Sequence, residues 1–111
     1  MKKLEIILKP EKLEELKDAL SDMVGGMTIT SVMGFGAQRG AKEYYRGVEV
    51  TVRFLPKYKV EIVVDNTKVE GIVAKARAVL NTGHTGDGKI FVYEVTDAVR
   101  VRTGESGESA I

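Results

Sequence analysis

The chain repeats itself, and the repeat fixes its layout. Lys3-Leu4-Glu5-Ile6-Ile7-Leu8 reappears as Lys59-Val60-Glu61-Ile62-Val63-Val64. The correspondence runs on without a gap: Lys12-Leu13-Glu14 matches Lys68-Val69-Glu70, and Leu16 matches Ile72. Each copy is an apolar strand followed by apolar residues at helical spacing. Leu13, Leu16 and Leu20 share a face in the first helix; Val69, Ile72, Val73, Ala76 and Leu80 share one in the second. Thr67-Lys68-Val69-Glu70 has the form of a capping box, and Pro10 suits the entry to the first helix.

A further strand is expected after each helix, Met27 to Met33 in the first copy and Lys89 to Val95 in the second. Two such units predict an α+β domain of βαββαβ, ferredoxin-like order, with two helices over one sheet face. The whole chain, 1–111, reads as one domain, long enough to bury roughly two-thirds of its unfolded surface. Leu4, Ile6 and Leu8 alternate with Glu5 and Ile7, but Ile62-Val63-Val64 and Ile90-Phe91-Val92 are apolar on both sides. A second apolar sheet face is therefore expected to need a partner, and a self-assembled oligomer supplies one. The four methionines read as core and gap filling.

A long insertion, about 36–53, separates the copies. Gly34-Phe35-Gly36-Ala37-Gln38-Arg39-Gly40 leads into it, and its charged tip lies near Tyr44-Tyr45-Arg46-Gly47. A connection of that length in so small a domain is usually functional or mobile. Residues 37–52 are expected to be poorly ordered without a partner, although the alternation from Val48 to Phe54 suits a returning strand.

Gly83-His84-Thr85-Gly86-Asp87-Gly88-Lys89 satisfies the glycine and lysine part of a phosphate-loop pattern and then breaks it. Ile90 stands where that motif places Ser or Thr to hold magnesium, and a strand follows where the motif needs a helix. The backbone can still cradle phosphate oxygens. The hydrolytic apparatus of an ordinary NTPase is missing, which is the pattern of a sensor. Cysteine is absent, which excludes thiolate metal sites and a Cys nucleophile, and the single His84 has no second imidazole to share a metal with. A net charge of +1 argues against a dedicated nucleic-acid binder. No apolar run approaches the ~20 residues of a membrane span, and acid follows the first methionine too soon for a secretory leader. A soluble, cytoplasmic protein without direct membrane insertion is expected.

Taken together the motifs resemble the PII signal-transduction family, the trimeric regulators of nitrogen metabolism. The resemblance is carried by Lys9-Pro10 with Lys12-Leu13, Gly26-Met27-Thr28, Gly34-Phe35-Gly36, Gln38 with Gly40, Tyr45-Arg46-Gly47, Leu55-Pro56-Lys57, Lys59 to Val63, Thr82-Gly83, Gly86 to Val92 and Arg100 to Glu105. These pieces run in order through nearly the whole chain. The resemblance implies a homotrimer with ATP or ADP in each cleft between subunits, AMP being a further candidate. The phosphate loop is then 82–89, with Gly86, Asp87, Gly88 and Lys89 on the phosphates. A C-terminal clamp, 100–105, brings Arg100 and Arg102 from the neighbouring subunit. Two apart on an extended segment, these arginines would emerge on one side. Gly34, Gly36 and Gln38 approach the ribose and phosphates, while Ile6, Ile7, Thr28 and the strand from Glu61 to Val63 line the adenine slot.

The resemblance further implies 2-oxoglutarate beside the ATP. Magnesium would be held by the phosphates and Gln38, the backbone of Gln38, Arg39 and Gly40 would take one end of the acid, and Lys57 the other. Residues 36–53 become an effector loop. It enters an ammonium transporter, with Arg46 at the tip blocking conduction and Tyr45 and Gly47 beside it. Recruitment to the inner membrane face would follow.

Several positions depart from the family pattern. The tyrosine that is uridylylated in many members would fall at Val50, and the serine phosphorylated in others at Val48, so regulation by ligands alone is implied. Ala37 and His84 stand where the family carries basic residues, which either moves preference from ATP toward ADP or AMP or weakens binding. Two functions follow. One is a non-catalytic regulator sensing ATP, ADP and 2-oxoglutarate. The other is a PII-like nucleotide-binding regulator of a different transporter or enzyme, without a 2-oxoglutarate response. No nucleophile or general-base constellation marks an enzyme; slow ATPase turnover of a bound metal–triphosphate is compatible with either reading.

Overall fold

The computed structural model describes residues 1–35, 42–45, 48–51 and 54–111, the two short inner segments by their backbone. Its strands and helices are β1 (Lys2–Leu8), α1 (Leu13–Leu20), β2 (Thr28–Gly34), β3 (Lys42–Tyr45), β4 (Val48–Thr51), β5 (Leu55–Val64), α2 (Val69–Leu80) and β6 (Gly88–Glu94). Four strands form one antiparallel sheet in the order β2-β5-β1-β6. That is the βαββαβ order expected from the repeat. Strands β2 and β6 begin within one residue of the expected positions.

The predicted helix stripes and the even positions of β1 build the core. Leu4, Ile6 and Leu8 meet Leu16 and Leu20 of α1, Ile72, Ala76 and Leu80 of α2, and Val60, Ile62 and Val64 of β5, all buried. Leu13, Val69 and Val73 pack at its margin. Each helix is entered through a short 3-10 turn, Pro10–Lys12 and Asn66–Lys68. Pro10 opens the first as expected. The second differs: the Asp65 carboxylate accepts from the Thr67 amide at 3.2 Å, and α2 starts at Val69 with no side-chain cap. The 3-10 turn moves the capping position two residues upstream of the expected box.

The open sheet face is less apolar than expected. Strand alternation sends Ile62 and Val64 inward and leaves only Val63 of that run outside. Around it lies a polar ladder. Lys3 Nζ sits 3.1 Å from Glu61, Lys59 3.8 Å from Glu61, and the Tyr93 hydroxyl donates to Glu5 at 3.3 Å. Lys3 also lies 4.7 Å from the Tyr93 ring centre. Large exposed apolar side chains also stand on the edge strands, Ile29 and Met33 on β2 and Val92 on β6, with Phe91 of β6 opposite Glu5 on the open face itself. Met23 and Met27 pack on the core as expected, but Met33 does not.

Within the insertion, β3 and β4 pair antiparallel from Lys42 opposite Thr51 to Tyr45 opposite Val48. The returning arm is a strand, as its alternation suggested. The outgoing arm is a strand too. Gly36, Ala37, Gln38, Arg39, Gly40, Arg46 and Gly47 lie outside the described residues.

Candidate functional site

The glycine-rich loop between α2 and β6 is held together by one carboxylate. Asp87 accepts the Thr82 amide at 2.7 Å and the His84 amide at 3.3 Å on one oxygen, and the Thr82 hydroxyl on the other. Its own amide returns to the His84 carbonyl at 3.3 Å. The Thr82 hydroxyl bond, then the Thr82 amide, hold the Asp87 carboxyl down at about 2. Asn81 closes the other side by accepting the Gly83 amide at 2.9 Å. Asp87 therefore spends its charge inside the loop, where it shapes the backbone. That makes it a scaffold residue beside an anion site, not a repulsive charge aimed into it.

Two lysines tie the loop to the sheet. Lys57, only 9% exposed, donates from Nζ to the Gly86 carbonyl at 3.1 Å, and Lys9 lies 3.8 Å from Asp87. Burial, with the like charge of Lys9, lowers the Lys57 ammonium below the ordinary lysine value. Its stem crosses Gly34, where an added Cβ would sit 3.3 Å from Lys57 Cγ. Gly88, at φ 132°, brings the end of the loop against β1 so closely that a Cβ would fall 2.1 Å from the Ile7 carbonyl oxygen. Sequence reasoning gave Lys9 and Thr82 no role beyond the match, because both act through contacts that exist only in the folded loop.

Lys89 is exposed at the second position of β6, opposite Ile7 in the ladder. It makes no ion pair with a described residue. A cavity of about 360 Å³ lies beside it, lined by Asp87, Gly88, Lys89 and Ile90 with Val73, Arg77, Leu80 and Asn81 of the α2 side. A second cavity of about 550 Å³ brings together Thr28, Glu61, Val63 and Arg100 with Lys3, Gly25, Gly26, Ala110 and Ile111. Of the residues expected around a nucleotide, Thr28, Glu61, Val63 and Arg100 line one hollow and Asp87, Gly88 and Lys89 the other, while Ile7, Gly34, Gly86 and Arg102 line neither. Ile6 and Ile62, expected in the adenine slot, are instead buried in the helix-facing core, because the strand period turns them inward.

The expected clamp also differs. Arg100 to Gly104 is a turn, closed by the Gly104 amide on the Arg100 carbonyl at 2.8 Å, and the Arg100 amide meets the Glu105 carbonyl at 2.8 Å. Thr103 and Gly104 bend the chain, so the extended-strand argument for a shared side of Arg100 and Arg102 fails. Arg100 pairs with Glu105 at 3.2 Å while Arg102 is exposed. Among the described residues no group of three or more His, Cys, Asp or Glu side chains is arranged to hold a metal, and no helix is long and apolar enough to cross a membrane.

A family model described as nitrogen regulatory protein P-II matches residues 1–105. Proteins of that name from Pasteurella multocida and Nostoc punctiforme are each 51% identical over 112 residues, covering all of both chains. The solved structure of Bacillus subtilis GlnK superposes with a TM-score of 0.81 at 39% identity, covering 99% of this chain and 97% of that one. Another structure of the same protein, described as a GlnK–ATP complex, gives 0.80 at 35% identity, covering 99% and 96%.

Proposed function

The chain belongs to the nitrogen regulatory protein P-II family, and from that premise we propose that it senses ATP, ADP and 2-oxoglutarate and reports them to its targets by contact. A signalling role in nitrogen regulation goes with the family and with the GlnK-like fold. The observation that carries the finer reading is the phosphate loop. Its backbone is shaped from within by Asp87, is tied down by Lys57, and leaves Lys89 exposed beside it. That is an arrangement for receiving anionic oxygens rather than for cleaving a bond. The description of the GlnK–ATP complex supports an adenine nucleotide as the ligand.

In this reading the protein is a homotrimer. Burial of Ile29, Met33, Phe91 and Val92 by neighbouring subunits would remove the exposed apolar edges and bring the two hollows of different subunits together. Lys89 binds the phosphates, Ile7, Thr28, Glu61 and Val63 border the adenine, and Arg100 or Arg102 reaches across. Magnesium and 2-oxoglutarate join through Gln38, and the β3–β4 hairpin presents Arg46 to an ammonium transporter on the cytoplasmic side.

Calorimetric titration of 2-oxoglutarate tests this. Binding is expected with ATP and magnesium present and absent in the apo protein, and Gln38→Ala should abolish it while keeping much of the nucleotide affinity. Absence of 2-oxoglutarate binding under every condition, with ATP still bound, would favour the PII-like regulator without that response. Lys57 already donates to the Gly86 carbonyl, which gives that second reading its support.

A further inference from the structure

The hollow that holds Thr28, Glu61 and Val63 has a further side, built by the chain beyond the arginine turn. Ala110 and Ile111 line it together with Arg100. Both lie past residues 1–105, which the family model matches. Their position is set by a short ladder. Val99 pairs antiparallel with Ser106, and the Gly107 amide donates to the Ala98 carbonyl and to Asp97 Oδ1, each at 3.0 Å. Asp97 Oδ1 also accepts the Ala98 amide at 2.8 Å. From Gly107, at φ 70°, the chain enters a 3-10 turn, Gly107–Ala110, where the Ser109 hydroxyl donates to the Ser106 carbonyl at 3.0 Å. The Ile111 amide closes on the Glu108 carbonyl at 3.3 Å.

Polar bonds thus hold this segment in place, and Ile111 adds nothing to the core. Its side chain is 41% exposed and belongs neither to the buried cluster nor to its margin. An apolar side chain set at a hollow by backbone bonds keeps its surface for whatever enters. The charged residues of the hollow are paired within the chain, Lys3 with Glu61 at 3.1 Å and Arg100 with Glu105 at 3.2 Å. Val63 and Ile111 supply apolar surface from two separate elements. The cavity measures about 550 Å³ with the turn present, so Ala110 and Ile111 border it and do not fill it. A heteroaromatic base, apolar on its faces and polar at its edge, suits that lining.

We propose that Ile111 is a base-contacting residue: with Ala110 it forms the wall that completes the hollow of Thr28, Glu61 and Val63, and Asp97 is the positioning residue that holds the wall. The inference rests on the nucleotide reading above and deepens it, adding residues that address the base and not the phosphates.

Two measurements test the proposal. In a methyl ¹H–¹³C spectrum, ATP should move the Ile111 signals through the ring current of the base. In calorimetry, Ile111→Ser should weaken ATP and ADP alike, by about three- to tenfold, since both carry the same base. Ile111→Leu should bind as the wild type does, and the melting temperature of Ile111→Ser should stay unchanged, because the residue lies outside the core. Asp97→Ala should weaken ATP as Ile111→Ser does, while Asp97→Asn, which keeps an acceptor oxygen, should not. ATP binding with the Ile111 methyl signals unmoved, or with equal affinity in the wild type and Ile111→Ser, would overturn the wall and leave the nucleotide reading intact. Failure of the wild type to bind ATP would overturn both.

Discussion

The connection from α1 to β2 and that from α2 to β6 hold equivalent places in the two copies of the repeat, and they are built on opposite principles. The first, residues 21–27, is fixed by its apolar side chains: Met23, Val24 and Met27 pack against the core. Its short bonds, Met23 amide to Leu20 carbonyl at 2.9 Å and Ser21 hydroxyl to Asp18 carbonyl at 3.3 Å, merely finish the helix. The second, residues 81–87, has none of its residues in the core and is fixed by a polar hub at Asp87 with lysines beneath it. A loop anchored by apolar side chains gains stability from burial. A loop anchored from within by a carboxylate keeps its backbone and neighbouring lysine at the surface, where a ligand can reach them. Duplication provided the scaffold twice; the polar hub made one copy of the connection a site.

Glycine substitutions give the widest separation between the two. Gly88→Ala, where the second connection enters β6, places a Cβ 2.1 Å from the Ile7 carbonyl oxygen at a positive φ, and about 3 kcal/mol or more of stability should be lost in denaturant unfolding. Gly25→Ala meets nothing within 4 Å and should change stability by no more than about 0.5 kcal/mol. Equal effects of the two would mean that the connections are held alike.

Lys57→Met sharpens the contrast more locally. Without the donor to the Gly86 carbonyl, backbone amides from Gly86 to Lys89 should exchange faster by hydrogen–deuterium exchange, while those of residues 21–27 keep their rates. Acceleration spread over both connections would show that Lys57 supports the sheet and not the loop.

The smallest effect concerns acid. The Asp87 carboxyl is lower in the folded chain than its ordinary 3.8, at about 2, so its contribution is present above the ordinary value and is lost as pH falls through about 2. Melting temperature should fall less steeply between about pH 4 and about pH 2 in Asp87→Asn than in the wild type. Parallel curves would remove Asp87 as the hub.

Much of this architecture is legible in the sequence because strands and amphipathic helices declare themselves by period. Leu4, Ile6 and Leu8 at period two, and Ile72, Ala76 and Leu80 at helical spacing, all reach the core they predict. What misled was local pattern without three-dimensional context. Thr67 to Glu70 has the letters of a capping box, yet Asp65 takes the cap because a 3-10 turn precedes the helix. The run Ile62-Val63-Val64 suggested a second apolar face, but cross-strand neighbours decide a sheet face, and those of Val63 include Lys3. Arg100 and Arg102 suggested an extended clamp, where Gly104 at φ 74° closes a turn. In the site, Lys89 and the glycines could be picked out by motif. Lys9, Thr82 and the inward role of Asp87 could not, since they depend on β1, β5 and the loop meeting in space.

The account stands most directly on Lys89 as the charge that the loop presents to a nucleotide. Titration of ATP into the wild type and into Lys89→Ala by calorimetry measures it. The account predicts binding by the wild type and a loss of about 1.5–3 kcal/mol in the variant, the range of a charge-assisted contact, with melting temperature unchanged. Equal ATP affinity of the two proteins would contradict it and leave the loop a turn.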